Sequence, residues 1–347
     1  MSKKILTFGE VMMRISPWSK ENRILQTDNF KIEPGGSESN VAINLANLGN
    51  DTEFITKLPD NVVGNKIIRY LNKYGVKTNN IIRGGNRLGV YWTEHGVGPR
   101  ASDVTYDREN SSITNLRVDE FNYSKLLDNV DWFHSSGITP ALNKNSMKTL
   151  NKLLDEANKN NIKTSIDLNY RSKLWNWLNE SDFQLTDIME TIASKCTMLI
   201  GNESDFQKML NVNDNSNSDK EKYYHIARKI FNRFDKLEYM AVSLRDSVSA
   251  SENNWSGLLF VKQDNNIKTY VSQKYQLKNI VDRVGGGDSF SSGIIHSLLN
   301  YDSYQKTVDF AIGFSALKHT IRGDIAEFGI EDVEHLLKTK GSGRIVR

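Results

Sequence analysis

Hydrophobic positions in the first quarter of the chain alternate between strand-like and helix-like patterns. Residues 5–8 form a short apolar run, which is typical of a buried parallel strand. Between residues 41 and 48 the apolar side chains recur at helical spacing, and Gly49 then provides a residue type that commonly ends a helix. The apolar pair Phe54-Ile55 follows, and a second helical pattern covers residues 63–74. The pattern predicts a β-α-β-α order.

The same alternation returns in the middle of the chain, where apolar strands are separated by amphipathic helices. Strands that alternate with helices predict an α/β fold with a doubly wound, mostly parallel sheet and helices on both faces. We therefore predict one α/β domain over residues 1–347, with ligands bound beyond the carboxyl ends of its strands. The predicted strands lie near residues 132–135, 164–167, 198–200 and 239–243, and the predicted helices near 146–159 and 223–234.

Two segments, about 11–33 and 86–113, contain strand-like pieces without a helical pattern. We interpret them as a small antiparallel β lid on the α/β body, because flaps over a site commonly exclude water. A decorated edge of the main sheet is the alternative. Unpaired strand edges in such a lid would favour a homo-oligomer formed through the lid.

The charge pattern argues against polymeric partners. The 347 residues include 45 Lys and Arg and 42 Asp and Glu spread along the chain, so neither nucleic acid nor an anionic membrane is an expected partner. Glu10 interrupts the first apolar run, and no stretch approaches the ~20 apolar residues of a membrane span. The lone Cys196 lies in an apolar segment, which indicates a buried thiol in a reducing compartment. We expect a cytoplasmic protein.

Three consecutive glycines, Gly285, Gly286 and Gly287, precede Asp288 and a helical segment. Glycines at a helix start let backbone N–H groups turn toward an anion, and the helix dipole adds to the attraction. A carboxylate beside such a cradle is expected to accept a proton from an attacking hydroxyl, whereas a simple helix cap is the alternative role of Asp288. Walker, dinucleotide-binding, zinc-ligand and nucleophile-elbow patterns are missing from the sequence.

Residues 281–290 resemble the C-terminal signature of the ribokinase-like (PfkB) carbohydrate kinases, and residues 34–40 resemble the N-terminal signature of that family. The resemblance covers nearly the whole chain. It implies an ATP- and Mg²⁺-dependent sugar kinase in which Asp288 is the base. It also implies that residues 285–287 form the anion hole, and that Gly35, Gly36 and Asn40 contact the sugar.

Residues 202–205 resemble the N-x-x-E element of the family, which organises Mg²⁺ and phosphate through water, but Asp205 replaces the glutamate. A helix cap is the alternative role for Asn202 and Asp205. Residues 243–247 also depart from the family pattern, since many relatives carry Lys and Gly there. The nucleotide-binding residues implied by the resemblance are Asn169, Asn202, Ser243, Arg245, Gly285 and Gly287.

Residues 89–91, 105–108, 134–138 and 169–175 are similar to the corresponding segments of 2-keto-3-deoxygluconate kinases. The resemblance implies phosphorylation of a small sugar acid, most simply 2-keto-3-deoxy-D-gluconate to its 6-phosphate. A kinase of a neutral sugar, such as fructokinase or ribokinase, and a non-catalytic sugar or nucleotide sensor are the alternatives. The substrate-facing residues implied in addition to those of the N-terminal signature are Tyr91, Tyr106, Arg108, Ile138, Arg171 and Asp324.

Two arginines carry the physical case for a sugar acid. The guanidinium groups of Arg108 and Arg171 could each bind a carboxylate in a bidentate fork, which a neutral sugar cannot offer. The alternative for Arg108 is a surface ion pair with Asp107 or Glu109, and the alternative for Arg171 is a contact with the ATP phosphates.

Overall fold

A computed structural model describes residues 2–216, 218–264, 266–339 and 341, so the predicted domain of residues 1–347 includes positions outside the described residues. The main sheet confirms the predicted α/β class. The strands of this sheet are β1 (Lys4–Phe8), β4 (Asp51–Ile55), β9 (Trp132–Ser136), β10 (Lys163–Asp167), β11 (Met198–Ile200), β12 (Tyr239–Ser249), β13 (Glu252–Gln263), β14 (Asn266–Val271) and β15 (Tyr275–Leu277). They follow the order β14-β13-β12-β11-β10-β9-β1-β4, and β15 pairs with β13. Pairing is parallel from β12 through to β4, and it is antiparallel on both sides of β13.

Helices cover both faces of the sheet because the parallel strands carry apolar side chains on both sides. The longer helices are α1 (Ser37–Asn47), α2 (Val62–Lys73), α5 (Lys144–Lys159), α6 (Leu185–Ala193), α7 (Glu203–Leu210), α8 (Asp219–Arg233), α9 (Gly286–Asn300), α10 (Tyr304–Lys318) and α11 (Ile330–Thr339), and the short ones are α3 (Tyr123–Leu126) and α4 (Ile138–Leu142). Along β1, Phe8 joins the core cluster that contains Leu153 of α5, whereas Ile5 joins the cluster that contains Ile294 of α9.

A separate small sheet forms the lid, as predicted. Its strand order is β3-β2-β7-β8, made of β2 (Met12–Pro17), β3 (Phe30–Gly35), β7 (Val90–Glu94) and β8 (Asp103–Asp107). The expectation of a fully antiparallel lid is wrong for one pair, because β2 and β7 run parallel. A further two-stranded pairing joins β5 (Lys57–Leu58) to β6 (Ile82–Arg83). The decorated-edge alternative is not what forms, since the lid strands pair with one another.

The topology brings several chain segments to one edge of the main sheet. The carboxyl ends of β1, β9, β10 and β11 point the same way because these strands are parallel, and the antiparallel hairpin of β12 and β13 extends beyond them. The N-terminal ends of α1 and α9 also meet at this edge, where Ser37 of α1 bonds Asp288 of α9. Among the described residues, no helix combines the length and apolar character that a membrane crossing needs.

Candidate active site

Asp288 lies in the first turn of α9 and is held by two side chains of α1. The Ser37 hydroxyl donates to Oδ1 at 2.7 Å, and the Asn40 amide donates to Oδ2 at 2.7 Å. Burial is the main cause that raises the pKa of Asp288 to about 6, and the two hydrogen bonds oppose it. Asp288 makes no capping bond to its own helix, so the cap alternative is wrong. The carboxylate is therefore ionised, oriented and able to accept a proton near neutral pH.

We call residues 285–287, the three glycines before Asp288, the glycine loop. The space available for a side chain differs among the three positions. Gly285 has a φ of +81°, and a Cβ there would overlap the carbonyl oxygen of Asp324. A Cβ on Gly286 would press on the His319 ring, whereas one on Gly287 would enter open space. No side chain in the described part of the chain caps the start of α9, so first-turn N–H groups can bind an anion beside Gly287.

A second buried carboxylate, Asp167 at the end of β10, faces Asp288. Its Oδ2 accepts a hydrogen bond of 3.3 Å from Ser291 of α9. Burial, followed by the negative charges of Asp205 and Asp288, raises the pKa of Asp167 to about 8. We call Asp167, Asp205 and Asp288 the acid cluster. Sequence reasoning missed Asp167, although an acid at the carboxyl end of a buried strand is a usable signal.

Arg171 is exposed, and its charge lowers the pKa of each member of the acid cluster against the larger effect of burial. Its Nη1 donates to the Tyr170 carbonyl oxygen at 2.9 Å. The guanidinium therefore lies near the acid cluster and the N-terminus of α9. This location favours the ATP-phosphate alternative over a fixed contact with the sugar.

Asn202 and Asp205 cap the N-terminus of α7 in a reciprocal pair. Asp205 Oδ2 accepts from the Asn202 backbone N–H at 3.0 Å, and the Asn202 side chain accepts from the Asp205 N–H at 3.2 Å. Asp205 Oδ1 also accepts from the Tyr170 N–H at 3.0 Å, and burial raises the pKa of Asp205. The cap alternative thus describes their direct contacts. Within the described ranges, no group of three or more metal-ligating side chains is assembled.

The lid and the body form a wall from Gly35, Tyr91, Tyr106, Arg108 and Asp324, which we call the lid wall. The Tyr91 hydroxyl donates to Asp324 Oδ2 at 2.5 Å, and a Cβ on Gly35 would overlap both groups. The rings of Tyr91 and Tyr106 lie 6.2 Å apart. The structure therefore brings these predicted residues together, and it explains why position 35 is glycine.

Arg108 is buried, so the predicted alternative of a surface ion pair with Asp107 or Glu109 is wrong. Its Nη2 bonds Glu10, which follows β1, and its guanidinium carbon lies 5.3 Å from the centre of the Tyr106 ring. Ser111 donates to the other Glu10 oxygen at 2.7 Å. Arg108 is consequently fixed in place, with its charge offset by a carboxylate of the protein.

The remaining predicted residues occupy different parts of the same sheet edge. Asn169, with a φ of +42°, donates to the Ser37 hydroxyl at 3.4 Å and so lies beside the partner of Asp288. Gly36 packs so closely on the Glu10 carbonyl that a Cβ would overlap it. Ile138 begins α4. Ser243 and Arg245 lie on β12 beyond its parallel pairing with β11, and Arg245 is exposed.

Sequence reasoning also missed the long-range partners of the site. The sequence patterns assign no role in the site to Ser37, Glu10 or Arg14 of β2. Arg14 is buried and lies between Asp282 and Asp324. A charged residue within the apolar run of β2 is the signal that could have identified it.

Comparisons with known proteins agree with this geometry. The family model for pfkB carbohydrate kinases matches residues 2–233. The 2-dehydro-3-deoxygluconokinase of Thermotoga maritima is 40% identical, with a TM-score of 0.90 over 97% of this chain and 99% of that one. The 2-dehydro-3-deoxygalactonokinase of Haloferax volcanii is 29% identical over 99% of both chains. A fructokinase of Xylella fastidiosa shares the fold, with 17% identity and a TM-score of 0.76 over 99% of this chain and 100% of that one. The predicted resemblance is confirmed, and the chain belongs to the pfkB family of carbohydrate kinases.

Proposed function

We propose that this sugar kinase transfers the γ-phosphoryl group of ATP to 2-keto-3-deoxy-D-gluconate and forms the 6-phosphate. The observation that carries the proposal is the buried Asp288 carboxylate, held by Ser37 and Asn40 beside an uncapped helix N-terminus. An acceptor hydroxyl and a transferring phosphoryl group need these two elements side by side. The choice of a sugar acid is supported by the 2-dehydro-3-deoxygluconokinase relative, since 2-dehydro and 2-keto name the same group.

In this proposal Asp288 accepts the proton of the attacking hydroxyl as the new oxygen–phosphorus bond forms. The bond between the γ-phosphorus and the β,γ-bridging oxygen breaks in the same transfer, and ADP leaves. The N–H groups at Gly287 and the start of α9 stabilise the charge on the phosphoryl oxygens, and Arg171 adds an exposed cation. Mg²⁺ would neutralise charge on the ATP phosphates. Asn202 and Asp205 would hold it through water, and a bound cation would favour the ionised form of Asp167.

The nucleotide would lie along β12. Asn169 borders the phosphate end beside Ser37, and Ser243 and Arg245 lie beyond the parallel part of the sheet. Such a position at the carboxyl edge of the strands is usual for ligands of doubly wound folds. We further propose a cytoplasmic location, where ATP is available to a kinase.

The lid wall would bind the sugar acid. Gly35, Gly36 and Asn40 approach from α1 and β3, and Ile138 borders the same edge from α4. Arg108 would share its guanidinium between Glu10 and the substrate carboxylate, since a guanidinium has five N–H donors. Exposed apolar side chains on the lid segment, namely Trp18, Leu25 and Ile32, support a homo-oligomer formed through the lid.

A phosphoryl-transfer assay with a panel of acceptors tests the proposal. The panel contains 2-keto-3-deoxygluconate, its C4 epimer 2-keto-3-deoxygalactonate, fructose and ribose. We expect the highest kcat/KM with 2-keto-3-deoxygluconate. Preference for the galactonate would change the sugar but keep the chemistry. Preference for fructose or ribose would favour the neutral-sugar alternative, and binding without turnover would favour the sensor.

A further inference from the structure

A fully buried arginine on the lid has no role in the chemistry described so far. Arg14 of β2 has a side chain that is 1% exposed, and its Nη2 lies 2.8 Å from Asp282 Oδ2. Its Nη1 bonds Asp324 Oδ1. One guanidinium therefore connects a lid strand to two carboxylates of the body, and these carboxylates are separated by 42 positions in the sequence.

The two carboxylates belong to residues that border the glycine loop. Asp282 stands three residues before Gly285, and its Oδ1 accepts from the Val284 N–H at 3.1 Å. Asp324 places its carbonyl oxygen against Gly285, and its Oδ2 accepts from the Tyr91 hydroxyl of the lid. Asp282 Oδ2 also accepts from the Gly323 N–H at 3.2 Å, so the two segments touch directly.

The surroundings of Arg14 balance its charge and restrict its movement. Lys318 is buried and donates to the Asp282 carbonyl oxygen at 3.0 Å, and the charges of Asp282 and Asp324 oppose the lowering of its pKa by burial. His95 Nε2 lies 3.4 Å from Arg14 Nη2, and burial lowers the pKa of His95, which leaves this ring neutral. A buried, charge-balanced group with several fixed partners holds its members in one geometry, at a cost in desolvation.

We propose that Arg14 is a positioning residue for sugar binding: it orients the Asp324 carboxylate toward the sugar and aligns the lid wall with the glycine loop. This inference rests on the proposed function, because it takes Asp324 as a contact of the sugar. A lysine could supply the charge but not the two-pronged geometry, since an ammonium group is a point charge. With lysine at position 14, Asp324 would keep its hydrogen bond from Tyr91 but lose the contact with Arg14 that orients its other oxygen.

The test compares Arg14→Lys with wild type for 2-keto-3-deoxygluconate and for ATP. We expect the KM for the sugar acid to rise about tenfold or more, because the charge-assisted hydrogen bond that orients Asp324 is lost. The KM for ATP should change less than about twofold. Lys57→Met is the matched control, since it breaks the mostly buried ion pair of Lys57 and Glu120 outside the site, at 2.7 Å. The control should lower Tm and leave both KM values unchanged.

A double-mutant cycle keeps the inference falsifiable if Arg14→Lys folds poorly. Arg14→Gln combined with Asp324→Asn removes one charge of each sign from the buried group. If Arg14 acts through Asp324, the double variant should lose no more kcat/KM for the sugar than Asp324→Asn alone. Additive losses of kcat/KM, or a lower Tm with normal KM values, would show that Arg14 has only a structural role. Wild-type protein without turnover on any acceptor would instead overturn the proposed function, and this inference with it.

Discussion

The N-terminus of α9 and the lid wall, which we propose to serve the same reaction, differ in how their charges are satisfied. Among the described residues, no side chain caps the N–H groups at the start of α9, and Asp288 accepts hydrogen bonds from the neutral side chains of Ser37 and Asn40. In the lid wall, Arg108 is already paired with Glu10, and Asp324 is paired with Arg14. The N–H groups of the first region can therefore bind an anion. The second is electrically balanced before a substrate arrives, so its contribution is geometry and selectivity.

Removal of divalent metal should cause the largest loss of phosphoryl-transfer activity, through its effect on the first region. The ATP phosphates carry clustered negative charge, and Mg²⁺ is needed to offset that charge during transfer. We expect activity to fall to the assay background in excess EDTA and to return with Mg²⁺ or Mn²⁺, measured by phosphoryl transfer. Turnover that persists in EDTA would contradict the proposed role of Asn202 and Asp205.

Asp288→Asn should have the next largest effect. The amide keeps the shape and cannot accept the hydroxyl proton, so we expect kcat to fall about 10² to 10⁴-fold. ATP affinity should change little, because the glycine loop is intact. Asp119→Asn is the matched control, since that side chain is 78% exposed and lies on the surface. Near-normal turnover by Asp288→Asn would exclude Asp288 as the base.

The same two regions differ in how far the sequence could predict them. The glycine loop and Asp288 are contiguous, and their chemistry follows from residue types at fixed spacing. The lid wall depends on pairs that are 98, 268 and 310 residues apart, namely Glu10 with Arg108, Asp282 with Arg14, and Arg14 with Asp324. Hydrophobic periodicity predicts strands and helices, but it carries no information about which distant residues form pairs. The parallel register of β2 and β7 was missed for the same reason.

Arg108→Ala sharpens the comparison by testing selectivity instead of rate. Loss of a charge-assisted hydrogen bond worth ~1.5 to 3 kcal/mol should reduce kcat/KM for 2-keto-3-deoxygluconate by roughly 10-fold to 150-fold. Fructose offers no carboxylate, so its kcat/KM should change little. Arg117→Ala, an exposed arginine with 71% side-chain exposure, is the matched control.

The Arg108→Ala variant also needs a control for stability, because it leaves Glu10 buried without its cation. The double variant Glu10→Gln with Arg108→Ala removes that unpaired charge and should recover Tm without recovering kcat/KM for the sugar acid. Equal losses of kcat/KM on acidic and neutral sugars would show that Arg108 supports the lid and does not bind the substrate carboxylate.

The pH dependence of kcat/KM gives the smallest effect and reports directly on Asp288. Its pKa is raised to about 6 by burial, so the base gains a proton and activity falls as the pH drops through that value. For a single base of this pKa we expect about half of the plateau at pH 6 and about one-tenth at pH 5, measured at saturating Mg²⁺. Ser37 lowers the pKa of Asp288 through its hydrogen bond, so Ser37→Ala should move the acid limb to higher pH. Ser124→Ala, on the exposed surface of α3, should leave the limb in place. An acid limb that moves to lower pH in Ser37→Ala would mean that a group other than Asp288 controls the profile.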